Sequence, residues 1–159
     1  MSSQRIAPGD ARNIIRRALR TVVDPSPTAR DVSALWTHFQ NACAYCGTAL
    51  ERARREGQID HFIPTSAGGS NHIGNRVLSC GPCNGNEKQN ANGWKFLEQK
   101  VLDQVLLRQR RERIESWIAR HPHNAVDVTL LEQETERALA AFETAVSNLR
   151  SNTRRSSDI

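Results

Sequence analysis

An adjacent aspartate and histidine interrupt an apolar stretch near the middle of the sequence. Asp60 and His61 lie in "GQIDHFIPTSAGG", where the apolar residues Ile59, Phe62 and Ile63 predict a short strand that runs into a Pro/Gly turn. A carboxylate can bind a hard cation, and a neutral imidazole can take a proton from water. Because most Asp-His pairs are surface features, the residues around this pair decide its meaning.

Two pairs of cysteines flank this stretch, each with the spacing C-x2-C ("CAYC" and "CGPC"). Two such pairs predict a tetrahedral four-thiolate zinc site, and a disulfide pair or a redox-active pair is the less favoured alternative. The 33 residues from position 47 to 79 exceed the ~15–20 of a simple zinc ribbon, so a further element is built into the interval. The predicted zinc is structural, with no open coordination position. The four ligands are Cys43, Cys46, Cys80 and Cys83.

The segment "NGNEKQN" follows the last cysteine directly and should begin a helix packed on the hairpin. The order strand, loop, strand, helix brings Asp60, His61 and Asn84 toward one point. Carboxylate and amide oxygens are hard ligands that suit Mg²⁺ or Mn²⁺, and an imidazole beside such an ion can deprotonate water. The residues therefore predict a metal-dependent hydrolytic site that is separate from the cysteines.

Five short motifs in order, "CAYC", "IDHFIP", "GGSNHIGN", "CGPC" and "NGNEK", resemble an HNH endonuclease, the ββα-metal nuclease motif in its zinc-stabilised form. The resemblance covers residues 42–88. It implies that His61 is the general base and that Asp60 is a metal ligand. It further implies that Asn75 holds the loop between the strands through backbone hydrogen bonds and that Asn84 is the second metal ligand.

The sequence departs from this family at one position. Many members have a lysine three residues after the asparagine that corresponds to Asn84, whereas Glu87 stands there in this chain and Lys88 follows. The resemblance therefore carries no phosphate-contacting role to Lys88.

Helical patterns flank the candidate nuclease segment. They predict a helix over residues 11–23 and a second helix that begins at a capping box of Thr28 and Asp31. One long helix is expected from Trp94 to Ile118, and a last helix from Val128 to Leu149. We therefore expect an α+β fold in one domain: N-terminal helices (1–41), a nuclease core with its zinc site (42–90), a helical extension (91–150) and a disordered tail (151–159).

The net charge of +5 favours a polyanionic partner. All but three of the 22 basic residues are arginines, whose planar fork suits phosphate. The run "RQRRER", Arg108 to Arg113, predicts either a phosphate-contacting stripe or a solvated helix face, and the second is favoured. No apolar run is long enough for a membrane span and no secretory signal is evident, which predicts a cytoplasmic protein.

Together these features predict a metal-dependent endonuclease that hydrolyses DNA, with structural Zn²⁺ and catalytic Mg²⁺ or Mn²⁺. One active site cuts one strand, so the monomer is expected to nick, and cleavage of both strands would need a dimer or two visits. A homodimer and a larger defence or restriction complex are the partner states left open. Two alternatives remain at this point: a zinc-stabilised DNA-binding module without catalysis, and a nuclease that acts on RNA.

Overall fold

The computed structural model describes residues 7–123 and 128–155, and its backbone forms two compact units. One unit combines Met1–Asp24 with Val126–Ile159, and the other is Pro25–Ala125. The predicted helical extension is thus divided between the two units. That the whole chain acts as one domain stays a prediction.

The first unit contains helices α1 (Pro8–Val23) and α5 (Val128–Arg155). Helix α1 begins with a proline at its first position, a favourable place because the missing N–H would be unpaired there anyway. Arg12 pairs with Glu143 across the two helices at 3.0 Å. Helix α5 continues through residues 151–155, so the prediction of a disordered tail is wrong there. No proline or glycine interrupts that stretch, and residues 156–159 lie outside the described part.

The second unit opens with α2 (Ala29–His38), and its predicted capping box is confirmed. The Thr28 hydroxyl accepts from the Asp31 N–H at 3.2 Å, while the Asp31 carboxylate accepts from the Thr28 N–H at 2.8 Å. The apolar face of α2 is buried through Leu35 and Trp36, and Phe39 follows at the end of the helix. These side chains belong to the core that supports the site.

A two-stranded antiparallel hairpin forms the centre of this unit. Strand β1 (Gly57–His61) pairs with β2 (Arg76–Cys80) in a register that sets Gly57 opposite Cys80 and His61 opposite Arg76. Every residue of β2 is buried. A helical turn of the π type, the π-helix Pro82–Lys88, follows β2 directly. The predicted small ββα core is therefore confirmed, with this turn as its helical element.

Two helices, rather than the predicted single one, follow the core. Helix α3 (Gly93–Lys100) ends where Val101 adopts an extended backbone, and α4 (Gln104–Arg120) begins three residues beyond it. The Asp103 side chain caps α4 by accepting the N–H groups of Val105 and Leu106 at 2.8 and 2.9 Å. Aspartate favours such a cap over a helix interior, so this residue starts a new helix instead of continuing the old one.

The buried hydrophobic residues of the described chain all fall between Leu35 and Trp117, within the second unit. The Trp117 indole N–H donates to the Ile73 carbonyl at 3.0 Å, which ties α4 to the loop that precedes β2. Across the described ranges, we find no helix with the length and apolar character that a membrane span requires.

Candidate active site and metal centre

The four cysteines converge at one end of the hairpin. Their sulfur atoms all lie within 4.8 Å of one another, and the Cys46 and Cys80 sulfurs are 3.7 Å apart. A tetrahedral zinc ion with Zn–S bonds of about 2.3 Å sets its ligands about 3.8 Å apart, whereas a disulfide requires about 2.05 Å. The cluster is therefore compatible with structural zinc.

The thiols of this cluster differ in acidity. Burial disfavours the thiolate of Cys46, but hydrogen bonds from Thr48 and from neighbouring cysteines bring its pKa down to about 7. Burial and the nearby sulfurs raise the pKa of Cys83 instead. Four thiolates can share so small a volume only with a cation between them, which fits a divalent ion at the centre.

Backbone contacts fix the first cysteine pair to the hairpin. The Ala44 N–H donates to the Leu78 carbonyl of β2 at 2.8 Å, and Gly47 takes a left-handed conformation (φ +77°) that closes the turn. The Arg110 guanidinium donates to the Tyr45 carbonyl. Arg111, the next residue, binds Glu98 at 2.6 Å. Two arginines of the 108–113 run thus brace the fold, a use that neither sequence interpretation anticipated.

Asn75 holds the loop between the two strands. Its side-chain oxygen accepts the Ile63 N–H at 2.8 Å, and its amide donates to the carbonyls of Ile63 (2.9 Å) and Ser70 (2.8 Å). A Cβ on Gly69 would lie 1.8 Å from the Ile63 carbonyl oxygen, so only glycine permits this close approach. These are backbone hydrogen bonds of the predicted kind, and their role in aiming His61 stays a prediction.

His61 ends β1 half-buried, and both of its ring nitrogens have partners. Nε2 lies 3.1 Å from the Asn71 side-chain oxygen, and Nδ1 lies 2.9 Å from an Arg76 guanidinium nitrogen. The oxygen can only accept and the guanidinium can only donate, which assigns the proton to Nε2 and the lone pair to Nδ1. Burial and the Arg76 charge lower the pKa of His61, and the Asn71 bond opposes that effect. The ring is thus held neutral, with Nδ1 as its basic atom.

Asp60 points into the protein interior and is 6% exposed. Its Oδ2 accepts from the Tyr45 hydroxyl at 2.9 Å and lies 3.1 Å from the Lys88 ammonium, while Oδ1 lies 3.4 Å from the same ammonium. Burial and the Asp60 charge hold the pKa of Tyr45 well above its ordinary value, so this hydroxyl stays a donor. The carboxylate therefore already binds one cationic group of the protein.

Lys88 itself is 2% exposed and donates to the His61 carbonyl at 2.7 Å. It stands four residues after Asn84 instead of three, and the wider turn of the π-helix accommodates the extra residue. Lys88 consequently points at β1, where its ammonium binds the Asp60 carboxylate and the His61 carbonyl.

Asn84 contacts Gln58, near the start of β1, on the face of the strand that also carries Asp60. Its amide nitrogen donates to the Gln58 side-chain oxygen at 2.6 Å, and Gln58 shares the Asp60 face of β1 because the two positions are two residues apart. The carboxylate and amide oxygens on this face suit Mg²⁺ or Mn²⁺ in their chemistry. A divalent ion at Asp60 would share the carboxylate with the Lys88 ammonium or displace it.

Three residues around the predicted pair were not singled out from the sequence: Tyr45, Asn71 and Arg76. Lys88 was considered there only as a phosphate contact, and its ion pair with Asp60 was not predicted. Arg76 could have been found only from the strand register, which sets it opposite His61. Asn71 lies in the "GGSNHIGN" loop, where its direction depends on the Asn75 hydrogen bonds.

The ββα core and its four-cysteine cluster define a small zinc-compatible nuclease fold. A family model described as "HNH endonuclease" matches residues 43–94, about a third of the chain. The match confirms the resemblance to HNH endonucleases for this segment and supports a nuclease module in general.

Among solved structures, the chain is similar to the crystal structure of the Type II-C Cas9 enzyme from Actinomyces naeslundii. The identity is 20% and the TM-score 0.37, over 73% of this chain and 16% of that one. The chain thus spans about a sixth of that enzyme. No curated protein matches this sequence significantly.

Proposed function

We propose that this protein is a metal-dependent endonuclease that hydrolyses phosphodiester bonds of DNA. The observation that carries the proposal is the hydrogen-bonding state of His61. Its Nε2–H donates to the Asn71 side chain, and its Nδ1 carries the lone pair. His61 is the last residue of β1, and the carboxylate Asp60 directly precedes it. A neutral imidazole with its proton on Nε2 and its lone pair on Nδ1 has the protonation state that a general base needs, and it lies next to a carboxylate that can bind a metal.

In this proposal His61 takes a proton from water at Nδ1, and the resulting hydroxide attacks the phosphorus. The hydrogen bonds of Asn75 keep the chain after His61 in place, and the Lys88 ammonium holds the His61 carbonyl from the other side. The base is therefore positioned by contacts on both sides of the strand end. Such positioning lowers the entropic cost of reaching the reactive geometry.

Asp60 and Asn84 would hold the catalytic Mg²⁺ or Mn²⁺, which supplies positive charge to the phosphate and to the leaving 3′ oxygen. The four cysteines would hold a structural Zn²⁺ and leave it no open position for substrate. The two metals thus have separate ligands and separate tasks.

DNA is the proposed substrate because the chain carries a net charge of +5 and most of its basic residues are arginines. The rival of a DNA-binding module without catalysis predicts binding but no cleavage. The rival of an RNA-directed nuclease predicts preferential cleavage of RNA.

The decisive experiment incubates the zinc-loaded protein with supercoiled plasmid, with and without added Mg²⁺ or Mn²⁺, and with a single-stranded RNA in parallel. We expect metal-dependent nicking of the plasmid. His61→Ala should lower the nicking rate by about 10²-fold or more because the general base is lost, with zinc content and melting temperature unchanged. His123→Ala removes an exposed histidine and is the matched control. Nicking by His61→Ala at the wild-type rate would contradict the assignment of the base.

A further inference from the structure

Arg76 is a buried arginine whose guanidinium lies against the proposed base. Its Nε and Nη2 donate to the backbone and side-chain oxygens of Asn71 at 3.2 and 2.7 Å, and its Nη1 donates to His61 Nδ1 at 2.9 Å. These three acceptors are neutral atoms, and the side chain is held by the fold at 9% exposure. The contact is thus built into the site and is not a chance surface encounter.

The contact at Nδ1 has a direct chemical consequence. A guanidinium stays protonated at any ordinary pH and can only donate. While it binds Nδ1, the lone pair of His61 is occupied and cannot take a proton from water. Catalysis by His61 therefore requires that Nη1 turn away, and Asn71 can keep the Nε2–H in place while it does so.

A phosphate oxygen is the acceptor that would draw Nη1 away. Hydrogen bonds from arginine to an anionic oxygen are shorter and stronger than those to neutral acceptors. Because Arg76 is directly opposite His61 in the hairpin register, a phosphate bound to the guanidinium would stand beside the base.

We propose that Arg76 is the phosphate-binding residue of this site and that binding of the scissile phosphate releases His61 Nδ1. This inference rests on the proposed function. In the reaction, the water oxygen bonds to phosphorus, its proton passes to Nδ1, and the bond from phosphorus to the 3′ oxygen breaks with its electron pair on that oxygen. Arg76 neither gains nor loses a proton and stabilises the charge on the phosphate oxygens.

The kinetic test compares Arg76→Met and Arg76→Lys with Arg30→Met, which removes the same charge from an exposed position on α2. Single-turnover cleavage of a DNA duplex is measured as maximal rate and half-saturating protein concentration. We expect Arg76→Met to lower the maximal rate by about 10²-fold, as for loss of a donor to the transition state, with half-saturation changed by no more than about 3-fold. Arg76→Lys should recover part of the rate, and Arg30→Met should retain it.

Two results would overturn the inference. An unchanged rate in Arg76→Met would mean that the phosphate does not need this residue. A faster rate would mean that Arg76 only blocks His61 Nδ1. Zinc content and melting temperature are measured for each variant, and if Arg76→Met fails to fold, the decision passes to Arg76→Lys and to the spectroscopic test.

The spectroscopic test does not depend on cleavage. The ring nitrogens of His61 in the wild-type protein are followed by ¹⁵N NMR as a short DNA duplex is added without Mg²⁺ or Mn²⁺. We expect Nε2 to remain protonated while the Nδ1 signal moves as its Arg76 donor leaves. A Nδ1 signal that stays constant at saturating DNA would overturn the inference. If the signal moves but no condition yields cleavage, the proposed function fails while the phosphate contact of Arg76 stands.

Discussion

Asp60 and His61 are sequence neighbours that contact different partners. Successive side chains of a strand point to opposite faces, so Asp60 meets Tyr45 and Lys88 in the interior while His61 meets Asn71 and Arg76. The Asp60 face can bind a cation and the His61 face can accept a proton, although the two residues are adjacent in the chain. Under the proposed function, this division accounts for the acid and the imidazole that stand side by side in the sequence.

The ion pair of Lys88 with Asp60 yields a prediction about stability. Lys88→Met leaves a buried carboxylate without its cation, which should lower the free energy of unfolding by about 3 kcal/mol. Added Mg²⁺ or Mn²⁺ should restore part of that loss, since the carboxylate would again have a positive partner. Urea unfolding of the zinc-loaded protein measures both effects. Lys95→Met, at an exposed position of α3, is the control, and an equal, small effect of the two variants would refute the prediction.

The π-helix is the element that adapts this sequence to the nuclease core. It seats Cys83 in the cysteine cluster near its start and Lys88 against Asp60 at its end. An α-helical turn would place the lysine correctly only with one residue fewer between Asn84 and Lys88, which is the spacing in many HNH endonucleases.

Deletion of Gly85 tests this account. Gly85 is exposed and has no side chain, so its removal deletes no side-chain contact. We expect the shortened protein to form an ordinary helical turn, to keep zinc and to melt within about 4 °C of the wild type. Deletion of Leu97, a fully buried residue of α3, should unfold the protein and serves as the contrast. Loss of zinc from the Gly85 deletion would show that the π-helix is itself required.

Helices α2 and α4 meet at His38. Its Nε2 lies 2.8 Å from the Arg113 carbonyl, and its ring lies 4.9 Å from the Trp117 ring. Burial, with smaller effects from Arg113, Arg120 and His121, lowers the pKa of His38, and the bond to the Arg113 carbonyl opposes that change. Folding therefore disfavours the protonated form of this residue.

A pH dependence of stability follows. Since the pKa of His38 is lower in the folded state, the unfolded state binds the proton first, and stability falls as the pH drops through the ordinary value of about 6.5. His38→Gln keeps a donor for the Arg113 carbonyl but does not titrate. We expect its melting temperature to fall less than that of the wild type between about pH 7.5 and pH 5.5. His123→Gln controls for a histidine at an exposed position, and parallel curves for His38→Gln and wild type would exclude this role.

At the scale of the whole molecule, the candidate nuclease site belongs to one of the two compact units. The cysteine cluster and the buried hydrophobic core of the described chain all lie within Pro25–Ala125. No described residue of α1 is buried. The core that positions the site is therefore confined to a segment of about 100 residues, a size that can fold alone.

A truncated chain of residues 25–123 tests this division. We expect it to unfold in one cooperative transition and to contain about one zinc ion per chain, because metal binding and folding of such a module are coupled. Elemental analysis and thermal unfolding supply the measurements. Cys80→Ser in the same truncation should abolish both. A truncated chain that binds no zinc and shows no transition would favour the prediction of a single domain.

The ββα core and the cysteine cluster could be predicted from sequence because their signals are local. The cysteine spacing indicates paired thiolates, the capping box marks the start of α2, and the five ordered motifs indicate the ββα core. Each of these signals depends on residues that are close in the chain or on a fixed spacing. The helix after Trp94 is the exception, because the structure has two helices there instead of one. The sequence alone does not show whether Asp103 lies inside a helix or caps the start of a new one.

Only the tertiary structure decided the partners of the two candidate catalytic residues. Arg76 meets His61 through the hairpin register, and Lys88 meets Asp60 because the π-helix turns it inward. Tyr45 reaches the same carboxylate from the first cysteine pair, 15 residues away in sequence. Such contacts depend on which face of each element is buried, and a linear pattern of residues does not contain that information. The sequence determined the class of chemistry, and the packing determined which cations and donors surround it.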